Sequence, residues 1–364
     1  MKIILTGGGT LGSVSPIIAA IQELQAQNSR IEILWVGTKK GPENNLVSYY
    51  NFTYKQIPAG KLRRYFSFQN LTDAIKILLG LIKSCWLIFK FKPDIIIGAG
   101  GFVQVPIIYA TGLFFKKTKI IIHQQDVKKG LANSLCAKLA DKITVSIKKS
   151  LSDFPKDKTV LTGNPYRSDI LAGDINKAFK IFNLTLDLPT VLILGGGIGA
   201  LSLNRLIVKS LNKLTKLCQI IHVAGKNKLI DHPLNPNYHI YEFLTDKLKH
   251  AYAAADLVIS RAGFSTLTEL SVLAKPAILI PMPDSHQEQN AEFFAEQKAV
   301  IVLQQKTLTP DNLAKIVNNL LSNRELRFEL SNSISKIMPA DATERFIKEI
   351  AGMMDGNIIN IKNW

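Results

Sequence analysis

Cysteine is scarce in this chain of 364 residues: Cys85, Cys136 and Cys218 are far apart and odd in number. With no Cys-x-x-Cys pair, neither a disulfide framework nor a thiolate metal centre is expected, and a reducing compartment fits. The six histidines show neither His-x-x-x-His nor His-Glu-x-x-His spacing, so no metal site is expected. Asp-x-Asp is absent, and no Walker A lysine follows the glycine clusters. Long apolar runs are missing as well. The most membrane-like stretch, residues 75–91, is broken by Lys76, Lys83 and Lys90, which argues against a spanning helix. The amino terminus reaches glycines too soon for a secretory leader. Acidic side chains are also in short supply.

Lys and Arg number 45 against 28 Asp and Glu, a formal charge of +17. The excess is uneven. Residues 1–165 hold 23 basic and 9 acidic side chains, and the remainder 22 and 19. A basic first half seeks an anionic partner: nucleic acid, anionic lipid or a phosphorylated substrate. Aromatic–basic interleaving and any recognised nucleic-acid motif are absent, so no nucleic acid is expected.

The length allows two domains, and two internal echoes support that number. Lys2-Ile-Ile-Leu-Thr-Gly-Gly-Gly resembles Thr190-Val-Leu-Ile-Leu-Gly-Gly-Gly, and Asp94-Ile-Ile-Ile-Gly resembles Asp256-Leu-Val-Ile-Ser. Each is a short apolar run that breaks into a glycine-bearing turn. Helical stretches follow at residues 16–27 and 201–214. Further apolar runs at 31–36, 119–122, 142–145, 219–224 and 277–280 read as strands. Continuous Ile/Val/Leu strands alternating with helices indicate parallel sheets covered on both faces. The fold class is therefore α/β: two doubly wound, Rossmann-like domains. Gly163, Asn164 and Pro165 punctuate the chain between them. The expected domains are 1–163, 164–345, and a helix and tail at 346–364.

In such sheets ligands bind beyond the carboxyl ends of the strands. Glycine there lets the backbone approach a ligand, and the following helix start offers N–H groups to phosphate. One glycine turn is a weak signal. Four at corresponding points of two halves are a stronger one.

The ordered motifs are more specific. They are Gly8-Gly-Thr-Leu-Gly-Ser-Val-Ser-Pro16, Gly98-Ala-Gly-Gly-Phe-Val-Gln-Val-Pro106, His123-Gln-Gln-Asp126, Gly163-Asn-Pro-Tyr-Arg167, Gly195-Gly-Gly-Ile-Gly-Ala200, Arg261-Ala-Gly-Phe-Ser-Thr-Leu-Thr-Glu269 and His286-Gln-Glu-Gln-Asn-Ala291. Over about residues 1–350 the chain resembles the MurG family of GT-B glycosyltransferases. These transfer N-acetylglucosamine from UDP-N-acetylglucosamine (UDP-GlcNAc) to a lipid-linked muramyl-peptide in peptidoglycan synthesis. The resemblance implies the GT-B arrangement of two domains facing across a cleft, inversion at the anomeric carbon and no cofactor. It implies as partners UDP-GlcNAc, an undecaprenyl-pyrophosphoryl-muramyl-peptide acceptor and an anionic membrane surface. The implied location is peripheral, on the cytoplasmic face of the plasma membrane.

The resemblance also assigns residues. Glu269 matches the carboxylate that grips the ribose, and Phe264, Ser265 and Thr266 match the helix start near the diphosphate. Leu244 matches the uracil site, and Gln287 and Asn290 match a polar pair near the sugar. Arg167 matches a linker arginine suited to clamping the diphosphate. Thr10, Leu11, Gly12, Gly100, Gly101 and Gly197 fall in the matching glycine loops.

Three departures stand out. The family's loop histidine is Ser13 here, and one of its glycines is Leu11. The family's His-Glu-Gln-Asn reads His123-Gln124-Gln125-Asp126. The serine of its second-half glycine loop is also lost at Gly197-Ile198-Gly199. Serine is a poor general base near neutral pH unless activated. Asp126, His123 and Ser13 are thus the catalytic candidates, with Asp126 or His123 expected to remove the acceptor's proton. Two rivals stay open: a GT-B transferase or epimerase acting on another substrate, and a non-catalytic UDP-sugar binder.

Residues 73–91 carry Ile75, Leu78, Leu79, Ile82, Trp86 and Phe89 on one helical side, with Lys76, Lys83 and Lys90 on another. Arg63, Arg64, Lys92, Lys116, Lys117 and Lys119 lie nearby in sequence. A lysine-ringed apolar helix suits an anionic leaflet, with Ile75, Leu79, Ile82, Lys83, Trp86 and Lys90 as its contacts. It equally suits a helix covering the first sheet with a solvated lysine face.

Overall fold

The computed structural model describes residues 1–9, 11–27, 30–39, 41, 43–60, 69–197 and 199–354; the side chains of Leu11, Asn45 and residues 69–72 are excepted. Thr10, Arg63, Arg64, Ile198 and the tail at 356–364 therefore lie outside the described residues. The chain forms two compact units, one of residues 1–166 with 340–364 and one of residues 167–339.

The first unit runs β1 (Lys2–Thr6), α1 (Leu11–Gln27), β2 (Glu32–Gly37), α2 (Glu43–Tyr49), β3 (Thr53–Gln56) and α3 (Gln69–Phe91). It continues β4 (Ile95–Gly98), α4 (Gln104–Phe114), β5 (Lys119–Gln124), α5 (Leu131–Cys136), β6 (Lys142–Val145) and β7 (Thr159–Leu161). The second unit runs α6 (Ile175–Phe182), β8 (Thr190–Leu194), α7 (Leu201–Leu214), β9 (Gln219–Val223), β10 (Tyr238–Tyr241) and α8 (Leu248–Ala254). Then come β11 (Leu257–Ser260), α9 (Phe264–Val272), β12 (Ala277–Leu279), α10 (His286–Glu296), β13 (Ile301–Val302), α11 (Pro310–Ser322) and α12 (Arg324–Ile334). The last helix, α13 (Ala342–Gly352), returns to the first unit, where Phe346, Ile347 and Ile350 join the core beside α1.

Each unit holds one sheet with every described pairing parallel. The orders are β3-β2-β1-β4-β5-β6-β7 and β10-β9-β8-β11-β12-β13. The strand order reverses at β1/β4 in the first and β8/β11 in the second, the points where such sheets take ligands. The strands are short because they are buried on both faces: β4 and β8 have no exposed residue. The internal echo has a physical basis at the opposite edge. Asp94 accepts the backbone N–H of Lys2 at 2.7 Å, and Asp256 accepts that of Thr190 at 2.8 Å. In both halves an aspartate ahead of one strand satisfies the open N–H of its neighbour.

Two helices depart from simple pattern reading. Proline is favoured at a helix start, which places the first helix from Pro16. The helix instead begins at Leu11, so Pro16 lies inside it. A proline there has no N–H for the carbonyl four residues back. That carbonyl belongs to Gly12, and Gln125 Nε2 donates to it at 3.0 Å. The second departure is α3. Asp73, Gly80, Ser84, Leu87 and Ile88 are its buried residues among those described, while Ile75, Leu78, Leu79, Ile82, Trp86 and Phe89 are exposed, Ile82 at 59% and Phe89 at 70%. The richer apolar stripe faces outward.

Candidate functional site

The first unit gathers three loops at the carboxyl edge of its sheet. Those after β1 and β4 touch at Gly8 and Gly101. Gly101 has a φ of +82°, and a Cβ on it would collide with the Gly8 carbonyl oxygen. The loop after β5 is tied to the first by the Gln125–Gly12 bond. Gly100 N donates to Gln104 Oε1 at 2.9 Å, Gln104 donates to Asn133 at 2.6 Å, and Asn133 donates to Gln124 Oε1 at 2.9 Å. Gln124 in turn donates to the carbonyls of Asp126 and Lys128. This buried amide chain fixes the β5 loop from behind, so the structure brings Gly12, Ser13, Gly100, Gly101 and Asp126 onto braced neighbouring turns. Asp126 is half-buried there.

His123 is placed differently. It is 1% exposed, with Nδ1 paired to Thr144 Oγ1 at 2.9 Å and Nε2 to Asn164 Oδ1 at 3.0 Å. Its ring meets Phe346 edge-on. Burial lowers its pKa to about 4, so it is neutral near pH 7. Both ring nitrogens are committed inside the unit. This corrects the expectation that His123 removes a proton: its geometry is that of a packing and positioning group.

One participant left no motif. Glu43, fully buried at the start of α2, accepts from Thr38 Oγ1 at 2.7 Å, Thr38 N at 3.0 Å, Gly9 N at 3.3 Å and Tyr54 Oη at 3.4 Å. A Cβ on Gly8 would come within 2.5 Å of its Oε1, which explains glycine at that point. Glu43 ties the glycine loop to the end of β2. The sequence clue is the short Gly37-Thr38…Gly41 stretch ahead of it.

In the second unit α9 begins directly after the turn that ends β11. Its N-cap is Gly263, which has no side chain to cap the first turn. The Phe264, Ser265 and Thr266 backbone therefore opens a helix start with its positive dipole end. The Phe264 side chain itself is buried edge-on against Phe294. Gly197 is exposed in the turn after β8, and Leu244 lies buried after β10. Asn290 is fully buried and donates to the Ala262 carbonyl at 3.1 Å, holding the turn ahead of α9. Gln287 accepts from Met282 N at 3.0 Å. These bonds place both amides as braces of the loops around the helix start.

Glu269 lies five residues past Phe264, about a turn and a half, or ~7 Å, along α9. It is half-buried and accepts from Tyr252 Oη at 2.8 Å. Burial pushes its carboxyl above the ordinary glutamate range. Arg167 and the tyrosine hydroxyl pull it down, and Asp169 pushes it up. Arg167 is paired to Asp169 at 3.7 Å and is about a quarter exposed. Arg167 and Glu269, far apart in sequence, thus share one electrostatic environment. Tyr252, missed in the sequence, left one clue: a tyrosine in the Ala-rich helix before β11, whose buried hydroxyl requires a partner.

Residues 3–145 match the glycosyltransferase family 28 N-terminal domain, and residues 190–346 match the family 28 C-terminal domain. A Lachnoclostridium phytofermentans protein is 37% identical over 357 residues, 96% of this chain and 99% of its own length. It is a UDP-N-acetylglucosamine–N-acetylmuramyl-(pentapeptide) pyrophosphoryl-undecaprenol N-acetylglucosamine transferase. The crystal structure of Acinetobacter baumannii MurG matches with a TM-score of 0.72 at 26% identity, covering 96% of this chain and 99% of that one. A UDP-GlcNAc 2-epimerase from Neisseria meningitidis, solved with UDP-GlcNAc bound, reaches 0.65 at 14% identity, over 97% of this chain and 100% of that one. The last likeness is one of fold alone.

Proposed function

The chain belongs to the MurG family of family 28 glycosyltransferases, and from that premise we propose that it transfers N-acetylglucosamine from UDP-GlcNAc to a lipid-linked N-acetylmuramyl-peptide. The observation that carries the reading is the pairing, in the second unit, of an uncapped helix start at Phe264 with Glu269 farther along the same helix. The helix start suits a diphosphate, and a carboxylate at that distance suits the two ribose hydroxyls of the same nucleotide. Arg167 adds positive charge where the leaving diphosphate gains negative charge. Leu244 covers the base, and Gly197 lets the backbone come close to the phosphates. Gln287 and Asn290 hold the loops around the sugar.

Displacement at the anomeric carbon also needs a base for the acceptor hydroxyl, and the reaction inverts that centre. In the first unit Asp126 is the carboxylate on the loop after β5, with Gln124 securing the loop beneath it. Asp126 takes the proton. Ser13 lies in the first turn of α1, where it supplies a hydrogen bond to the acceptor. Gly12, Gly100 and Gly101 carry no side chain, so the backbone of these turns can come close to the acceptor's phosphates.

The outward stripe of α3 is the membrane contact. Ile75, Leu79, Ile82 and Trp86 enter the lipid boundary, and Lys83 and Lys90 meet anionic headgroups. Lys90 Nζ lies 5.2 Å over the Trp86 ring, so the cation covers the aromatic edge of the stripe. Both α3 and α4 run toward the amino end of β4, so exposed Leu113 and Phe114 extend the stripe at that end. No helix is long and apolar enough to cross a membrane among the described residues. On this reading the outward stripe of α3 holds the enzyme at the surface where its lipid-linked substrate resides.

Product analysis with UDP-GlcNAc and a synthetic lipid-linked muramyl-peptide is the test. A disaccharide product formed only with that acceptor is expected. Epimerised donor, or UDP bound without turnover, would overturn the reading. In the same assay Asp126→Asn should lower kcat by about 100-fold or more. Wild-type turnover would remove Asp126 from the mechanism. Binding to anionic vesicles should fall with Lys83→Glu/Lys90→Glu, and insensitivity to that reversal would defeat the docking role.

A further inference from the structure

Tyr252 is a buried group of the second unit that the reaction does not call on directly. Its ring is 0% exposed, on α8 ahead of β11, and its hydroxyl donates to Glu269 Oε2 at 2.8 Å. An interior tyrosine hydroxyl needs a partner, yet a backbone carbonyl would serve for stability alone. Here the partner is the carboxylate assigned to the ribose. An ionised carboxylate has room for about four donors on its two oxygens. One hydroxyl on Oε2 sets the plane of the group and leaves Oε1 to accept from a ligand.

We propose that Tyr252 is a positioning residue: by holding Oε2 it fixes the Glu269 carboxylate so that its remaining acceptors meet the vicinal hydroxyls of the donor's ribose. The inference rests on the donor-site reading and deepens it. A long flexible side chain must lose rotamer freedom to make such a bond. Tyr252 makes that loss occur on folding, before the nucleotide arrives, so more of the ribose bond appears as affinity. The same hydroxyl keeps the carboxyl ionised against burial. The charged and titratable groups around Glu269 are Arg167, Asp169 and Tyr252. Arg167 also favours the ionised form, and Asp169 opposes it.

Tyr252→Phe keeps the ring and removes only the bond. UDP and 2′,3′-dideoxy-UDP, titrated by calorimetry, are the probes. The variant is expected to bind UDP about tenfold more weakly, while dideoxy-UDP affinity changes less than twofold. The KM for UDP-GlcNAc rises with kcat little altered, and the rise grows as pH falls. Equal losses for the two nucleotides would mean loosened packing and would overturn the proposal, as would no loss for either. Glu269→Gln separates this from the reading beneath it. If that variant still prefers UDP over dideoxy-UDP as wild type does, the ribose assignment has failed. If it loses the preference and Tyr252→Phe does not, only the positioning role has failed. Should Tyr252→Phe not fold, 4-fluorophenylalanine at position 252 fills the hydroxyl's space without a donor. An unchanged UDP to dideoxy-UDP ratio there would equally overturn the proposal.

Discussion

Glu43 and Glu269 each lie on a helix that follows a strand of a parallel sheet, Glu43 after β2 and Glu269 after β11, each with a tyrosine hydroxyl nearby. Their surroundings differ. Glu43 is fully buried, and its oxygens face two backbone N–H groups and two hydroxyls. Glu269 is half-buried, and among the described residues its side-chain hydrogen-bond donor is the hydroxyl of Tyr252, with the charge of Arg167 nearby. A carboxylate surrounded by the protein's own donors is a brace. One that retains acceptor capacity beside a positive charge is arranged for a ligand. Residue type and burial do not separate these roles; the inventory of donors does.

The largest expected effect is on the brace. Glu43→Ala removes the acceptor of the part-buried Gly9 and Thr38 N–H groups and of the Thr38 hydroxyl, and a donor left shielded from water costs about 1–3 kcal/mol. A loss of about 3 kcal/mol is expected in urea unfolding followed by tryptophan fluorescence. Trp35 lies fully buried in the adjoining strand and donates to the Gly7 carbonyl, so it reports on this loop. A loss below about 1 kcal/mol would erase the distinction between the two glutamates.

Glu269→Gln should show the opposite balance. Its carboxyl is raised by burial, so the ionised form costs the folded state stability at every pH above that raised value. Neutral glutamine removes the cost, and the melting temperature should not fall. UDP affinity should nevertheless drop about tenfold, since a charged acceptor for the ribose is lost. In the wild type the ionised form binds. Affinity therefore weakens as pH falls, beginning above the ordinary glutamate range, and the glutamine variant shows no such step. A glutamine variant that melts lower and keeps its affinity would recast Glu269 as a second brace.

The second unit was the more legible of the two. Residues 261–269 carry a strand end, a glycine and a helix start in one continuous run, so local pattern placed Phe264 and Glu269 together. Their partners were not local. Tyr252 and Arg167 reach Glu269 only because β8 and β11 pair and α8 lies ahead of that pairing. In the first unit, strand periods located the glycine turns, but the pattern could not show which side of α3 faces outward. Apolar residues occupy both sides, and only packing of Gly80 and Ser84 against α4 and its neighbours decides the question. The reading of His123 as a base failed for the same reason. Thr144 and Asn164 are distant in sequence and meet its ring only through the strand pairing. Pro16 likewise suggested a helix start until the Gln125 amide took over the carbonyl it leaves unpaired.

The smallest expected effect tests whether braces in the donor half act on the ligand at all. Asn290 touches the Ala262 carbonyl through one bond at 3.1 Å, two residues ahead of the start of α9. Asn290→Ala removes one buried neutral hydrogen bond and leaves the carbonyl without that donor, about 1 kcal/mol. Because Ala262 belongs to the turn that aims the helix start, some of that loss should appear as a two- to fivefold weaker UDP affinity. It should fall equally on UDP and dideoxy-UDP, since the turn addresses the diphosphate and not the ribose. Asn290→Asp, which keeps the size but cannot donate when ionised, should match the alanine variant or exceed it. If both variants lose stability with no change in UDP affinity, Asn290 stands with Glu43 among the structural braces, and Glu269 with Tyr252 is left as the part of the second unit tuned to its ligand.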